Sequence, residues 1–155
     1  PPLMGITAVN EQKLMSPYSL VWGGILFIWQ IPHFMALSAM CSADYEKGGF
    51  KMLGMENPKL AGVAAFTHTL TLFPLCYMAY YYNITNILFP ITSTIFNSHL
   101  LYKSYNLIQQ PNSSIAARNL FVSSLFNLMY NSGAMIFLNN EFLTRADIFL
   151  KSFTK

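Results

Sequence analysis

The sequence predicts an all-α, integral-membrane helical bundle, and three observations carry that reading. Of the 155 residues 54% are hydrophobic and only 10% charged, against roughly 25% charged in a soluble globular domain. The few charges leave long uncharged intervals from Lys13 to Asp44, Lys59 to Lys103 and Arg118 to Glu141, each at least the ~20 residues a bilayer-crossing helix needs. An aromatic content of 15% rules out disorder, and two cysteines, Cys41 and Cys76, rule out a disulfide scaffold. A net charge of +3 spread this thinly is no footprint for nucleic acid, so the partner environment is the lipid bilayer.

The elements follow in order. Pro1 to Val9, PPLMGITAV, reads as the tail of a helix whose start is missing; with no initiator Met and no basic segment ahead of it, the chain looks like an internal fragment. The first full span runs from about Ser19 to Met40, after Ser16-Pro17, because Pro is tolerated in a helix's first turn. The long middle interval breaks at Asn83-Ile-Thr-Asn86 into spans near Leu60 to Tyr82 and Ile84 to Lys103, a tight antiparallel pair. A fourth span, about Asn119 to Leu138, follows the turn-forming Gln110-Pro-Asn-Ser-Ser114. The whole is about four full spans plus a truncated one: a membrane domain over 1–140 and a polar tail over 141–155.

Four spans alternate the loops between two sides. Lys47, Lys51, Lys59, Lys103 and Arg118 gather on one side and Lys13 on the other, so the positive-inside rule makes the first side cytoplasmic or matrix. The tail, with Arg145, Lys151 and Lys155, weakens the bias. The sequons at Asn83 and Asn112 fall on opposite sides and are chance matches.

Polar groups inside the first span single out Gln30, Pro32 and His33 in WQIPHF. Pro32 frees the carbonyl of Ile28, and polar groups at this depth face a bundle interior or a cavity. Gln30 and His33 therefore either bond a neighbouring helix or touch a ligand. His68 and His99 are weaker candidates of the same kind. Beyond the span, Cys41 to Leu53 concentrates Asp44, Tyr45, Glu46, Lys47, Gly48, Gly49 and Lys51. This is either a solvated loop that sets topology or the seat of a polar head group, with carboxylates for Mg²⁺ and lysines for phosphate oxygens. Ser123, Ser124, Asn127, Asn131, Ser132 and Gly133 mark a packed helix face, and the run Tyr80-Tyr81-Tyr82 with Trp22 an interfacial belt. Arg118 is foremost a topology anchor and alternatively an anion contact.

PPLMG, WQIPHF, ADYEKGGFKML and AARNLF, in this order and spacing, resemble the C-terminal half of the haem O synthases. These are the haem-farnesylating branch of the UbiA-type intramembrane prenyltransferases, and the likeness covers nearly the whole chain to about Leu138. It implies the C-terminal portion of a nine-helix bundle around a central cavity. It also implies transfer of a farnesyl group from farnesyl diphosphate to a vinyl group of haem b. Asp44-Tyr45 matches the second of the family's two acidic motifs; the first lies upstream of Pro1. By that likeness Asp44 is a Mg²⁺ ligand, Tyr45 orients the acid and Lys47 contacts phosphate, while Gln30, His33, Lys51 and Arg118 face the substrates. The Gly-Gly form implies the mitochondrial inner membrane, or a bacterial plasma membrane if the source is prokaryotic.

The chain departs from the family in Ser42, where relatives carry a base, Ala43, where they often carry an acid, and Ile6, where Trp is common. Lys47 or Lys51 would have to replace the lost base. A fragment lacking the first motif should be inactive alone. Two other readings stand beside this one: an aromatic quinone precursor as acceptor, against which WQIPHF argues, and a non-catalytic helical subunit or assembly factor of a respiratory complex. Oligomeric state, a homo-oligomer included, is left open.

Overall fold

A computed structural model describes Met4, residues 15–140, Leu143 and Thr144. The truncated first helix, the Ile6 departure, Lys13 and the charges of the 141–155 tail lie outside the described residues. Among the described residues six helices follow one another: α1 (Pro17–Met40), α2 (Ser42–Lys47), α3 (Leu53–Glu56), α4 (Pro58–Tyr81), α5 (Leu88–Gln109) and α6 (Ser114–Phe137).

Local chemistry sets the ends of the long helices. Ser16 Oγ accepts from Ser19 N at 3.3 Å ahead of Pro17, Asn57 Oδ1 accepts from Leu60 N at 3.0 Å ahead of Pro58, and Ser113 Oγ accepts from Ala116 N at 3.2 Å. Each satisfies one of the amide donors that a helix start leaves orphaned. Between α4 and α5 the chain reverses at Asn83, whose φ of 56° is a left-handed conformation that Asn tolerates. That turn is also tied to the far end of α6: Thr85 bridges Asn139, Asn86 N donates to Leu138 O and Asn140 N to Ile84 O, both at 3.1 Å.

The four long helices form a ring in which α1 packs on α4, α4 on α5, α5 on α6 and α6 on α1. The α4–α5 pair is antiparallel, since Gly62 faces Ile108 while Cys76 faces Asn97. Small residues allow that approach: a Cβ on Gly62 would stand 3.1 Å from the Ile108 backbone nitrogen. Val21, Ile25, Leu72, Phe89, Leu100, Leu107, Leu120 and Met135 fill the centre.

Among the described residues three helices, α1, α4 and α6, are long and apolar enough to cross a membrane. The third expected span, α5, has 22 residues but is less apolar, because Ser93, Asn97 and Ser104 lie on it, and all three are buried against its neighbours. Asn97 Oδ1 accepts from Asn127 Nδ2 at 2.8 Å and Asn131 Nδ2 at 3.4 Å, and Asn131 Nδ2 also reaches Asn127 Oδ1 at 3.0 Å. The polarity of α5 thus serves helix association. Outward the bundle is apolar: only 28% of the most apolar stretch of α1 is buried within the chain, so Leu20, Phe27 and Phe34 are left for lipid or further protein.

Candidate functional site

One end of the bundle gathers the C-terminus of α1, the short helices α2 and α3, the start of α4 and the turn from α5 to α6. Lys47, Lys51 and Lys59 lie at this end, with Arg118 in the first turns of α6 and Lys103 in the last turns of α5, so the basic residues that the sequence assigns to one side share one end of the bundle, while those set against them lie outside the described residues. The segment expected to be a loop is partly helical. Cys41 N donates to Leu37 O at 2.9 Å, closing α1, and Cys41 O accepts from Asp44 N and Tyr45 N at 3.1 Å, opening α2. Gly49, with φ 74°, then turns the chain back so that Phe50 N donates to Tyr45 O at 3.0 Å and the two rings meet edge-on at 6.3 Å.

Asp44 and Lys47 form an ion pair at 3.9 Å with both side chains 81% exposed. A pair so open contributes little to stability, which leaves both groups available to a charged ligand. Lys51 does not join them. It lines an open cavity of about 490 Å³ with Ser42, Glu46, Gly49, Phe50, Met55 and Glu56. A smaller cavity of about 220 Å³ lies between α3 and the α5–α6 turn, lined by Ser42 and Met55 again and by Asn112, Ser113 and Ser114. Ser42, noted in the sequence only for the base it lacks, is common to both cavities.

Roughly 10 Å down α1 from Met40, at 1.5 Å per residue, sits the second group of candidates. His33 is half-buried at the seam with α6. Its Nδ1 lies 2.8 Å from Ser124 Oγ, and its ring stacks between Trp29, centroid 4.7 Å away, and Phe121, 4.6 Å away. Trp29 Nε1 donates to Ser124 O at 2.6 Å. Pro32 is buried, whereas Gln30 is exposed on the open side of α1. Arg118 is also exposed, about one turn from Phe121 toward the loop end. Sequence reasoning placed Ser124 on a packed face and His33 in a polar turn but did not pair them; nothing in the sequence links residues on different helices.

The remaining candidates separate from these. His68 holds Ala64 O of its own helix at 2.7 Å through Nδ1, His99 is exposed, and Cys41 and Cys76 are free thiols. Among the described residues no group of three or more His, Cys, Asp or Glu side chains could hold a metal ion. The arrangement offers three exposed carboxylates, Asp44, Glu46 and Glu56, with Lys47, Lys51, Lys59 and Arg118 at one end of the bundle, and a half-buried histidine about two turns farther along α1.

Residues 1–125 match the UbiA prenyltransferase family. The chain belongs to the UbiA prenyltransferase family. Among its relatives, the mitochondrial protoheme IX farnesyltransferase of Yarrowia lipolytica is 34% identical over 134 residues, 81% of this chain and 28% of that protein. That of Debaryomyces hansenii is 37% identical, covering 81% of this chain and 29% of its own length. The human protein of the same name is 35% identical over 83% of this chain and 28% of its own. This UbiA chain therefore spans less than a third of the relatives it matches. No solved structure matches it.

Proposed function

We propose that this chain supplies the C-terminal part of a prenyltransferase that moves a farnesyl group from farnesyl diphosphate to a vinyl group of haem b in the mitochondrial inner membrane. The mitochondrial protoheme IX farnesyltransferases among its relatives support this. The carrying observation is the exposed Asp44–Lys47 pair at the same end of the bundle as the cavity that Lys51 lines, just past the C-terminus of the helix that holds His33. Residues 1–140 are the membrane domain and 141–155 the tail.

In this reading the farnesyl C–O bond breaks with both electrons leaving on the diphosphate. The vinyl π electrons attack the allylic cation. Water then adds to the resulting porphyrin-side cation and loses a proton, giving the hydroxyethylfarnesyl product. Lys51 and Lys47 neutralise the diphosphate as its charge develops, which is where fixed charge lowers a barrier. The apolar bundle below keeps water from the cation. Arg118 contacts the anion from α6, Tyr45 orients Asp44, and Gln30 and His33 face the haem. A Mg²⁺ ion fits Asp44 in part: magnesium is held by one or two carboxylates together with waters and substrate phosphates, and Asp44 brings one carboxylate. When bound, the ion would add positive charge at the diphosphate.

In the full-length protein Asp44→Asn should abolish farnesyl transfer while membrane insertion and folding persist. Activity within about twofold of wild type, under 0.5 kcal/mol in barrier height, overturns the role of Asp44.

A further inference from the structure

Building on haem b as the acceptor, we infer that His33 is an axial ligand of the haem iron and that Ser124 is a positioning residue that fixes its tautomer. Ser124 Oγ lies 2.6 Å from the Phe121 carbonyl oxygen and 2.8 Å from His33 Nδ1. A carbonyl has no proton to give, so the shorter contact holds only if the serine hydroxyl donates into it. With its single proton committed there, the hydroxyl can only accept from the imidazole. Nδ1 therefore carries the hydrogen, and the lone pair of the neutral ring resides on Nε2.

Three further observations make that lone pair usable. Among the described residues the buried side-chain polar atoms without a partner are Thr85 Oγ1 and Ser93 Oγ; Nε2 is not one of them, so it is not sealed inside the bundle. The ring plane is fixed by Trp29 and Phe121, at interplanar angles of 22° and 28°. Trp29 is itself anchored to Ser124 O at 2.6 Å. Ser124 thus holds ring and flanking indole through its two oxygens. Metal-binding histidines typically carry such a hydrogen bond on the nitrogen that does not bind, which sets the tautomer and raises the basicity of the other. His68 has a bond of the same kind, from Nδ1 to Ala64 O at 2.7 Å, but within its own helix; His33 alone is held by a second helix and between two rings.

The test uses full-length protein in lipid nanodiscs with ferrous haem b, read by the Soret band, haem titration and the iron–histidine stretching band in resonance Raman. Wild type should show that band. His33→Gly should lose it, and added imidazole should restore it; restoration also shows that the variant is folded. Ser124→Ala should keep the band at lower frequency and bind haem about tenfold more weakly, the lower end of the usual cost of losing such a partner, while Ser124→Thr behaves as wild type. A band that survives in His33→Gly, or one lost instead in His68→Ala, overturns the ligand assignment. A Ser124→Ala protein identical to wild type in band and affinity overturns the role of Ser124. Haem that binds without any histidine band sinks this inference and leaves the proposed acceptor standing, whereas a wild-type protein that binds no haem sinks the acceptor itself.

Discussion

Gly54 lies against Ser38 so closely that no side chain fits between them. A Cβ on Gly54 would overlap the Ser38 hydroxyl and stand 2.7 Å from the Ala39 nitrogen, and both residues are buried. This contact seats α3 on the last turns of α1, and α3 carries Met55 and Glu56 into the cavity that Lys51 lines.

Gly54→Ala should therefore push α3 off α1. Because backbone as well as side chain is in the way, shortening Ser38 relieves only part of the overlap, and the cost should fall in the ~1–3 kcal/mol range of overpacking. In the full-length protein we expect a lower unfolding midpoint and a higher KM for farnesyl diphosphate. Ser38→Ala should not restore either value. An unchanged KM would mean that α3 does not set the geometry of the loop.

The Asn97, Asn127 and Asn131 cluster should behave as one unit. Asn97→Ala removes the acceptor that Asn127 reaches at 2.8 Å and leaves a buried amide donor without its partner, a loss of about 1–3 kcal/mol. Interhelical hydrogen bonds in membranes sit toward the low end, about 0.6–2 kcal/mol. Reversible unfolding in mixed detergent micelles should show Asn97→Ala and Asn127→Ala each destabilising, with a coupling energy of at least about 0.5 kcal/mol in the double-mutant cycle. Strict additivity would show that the side chains do not depend on one another.

How far these features were legible in the sequence follows from how local their causes are. The start of α1 falls close to the expected Ser19 because Ser16-Pro17 acts within a few residues, whereas α6 starts at Ser114 rather than Asn119, directly after the turn that the sequence shows, because the cap on Ser113 lets the helix begin before the apolar stretch does. The start of α5 was set early, at Ile84 rather than Leu88. The residues between are drawn into pairing with Asn139 and Asn140, a long-range tie without a local signal. The acidic loop was recognised by its charges, yet its short helices and the burial of Gly54 depend on docking against α1. Ser124 was legible as a packed residue and His33 as a polar intruder, but their bond joins residues 91 apart in sequence. Asn97 drew no notice, since one Asn on a helix says nothing of depth; its significance comes from Asn127 and Asn131 on α6.

Gly49 offers a test confined to the backbone. Its φ is 74° and a Cβ there would meet nothing within 4 Å, so Gly49→Ala introduces no clash, only the ~1–2 kcal/mol an L-residue costs in the left-handed region. Because the turn is exposed, that strain should be relieved by local rearrangement of Phe50 and Lys51 more than by global unfolding. We expect an almost unchanged unfolding midpoint with a raised KM for farnesyl diphosphate. Gly49→Asn should lie closer to wild type, because Asn tolerates this conformation. If Ala and Asn raise KM equally, the left-handed turn is not what positions Lys51.

The two lysines of the loop should differ in a way their contacts dictate. Lys47 already faces the Asp44 carboxylate at 3.9 Å, so its charge is partly neutralised before any ligand arrives, and removing it also leaves Asp44 more repulsive to a diphosphate. Lys51 has no ion-pair partner among the described residues and lines the open cavity with Glu46 and Glu56, which makes it the freer cation. Both side chains are solvent-exposed, where charge interactions are screened over about 8–10 Å at ordinary ionic strength. KM for farnesyl diphosphate should accordingly rise with salt in the wild-type protein. Lys51→Ala should raise KM roughly tenfold at low salt, equivalent to about 1.4 kcal/mol, and flatten the salt dependence. Lys47→Ala should raise KM less but lower kcat, because it alters the carboxylate assigned to magnesium. Steady-state kinetics of both variants across a salt series decides the matter: a Lys51→Ala enzyme with wild-type KM and an undiminished salt slope would remove Lys51 from the diphosphate site and leave Arg118 as the cation to examine.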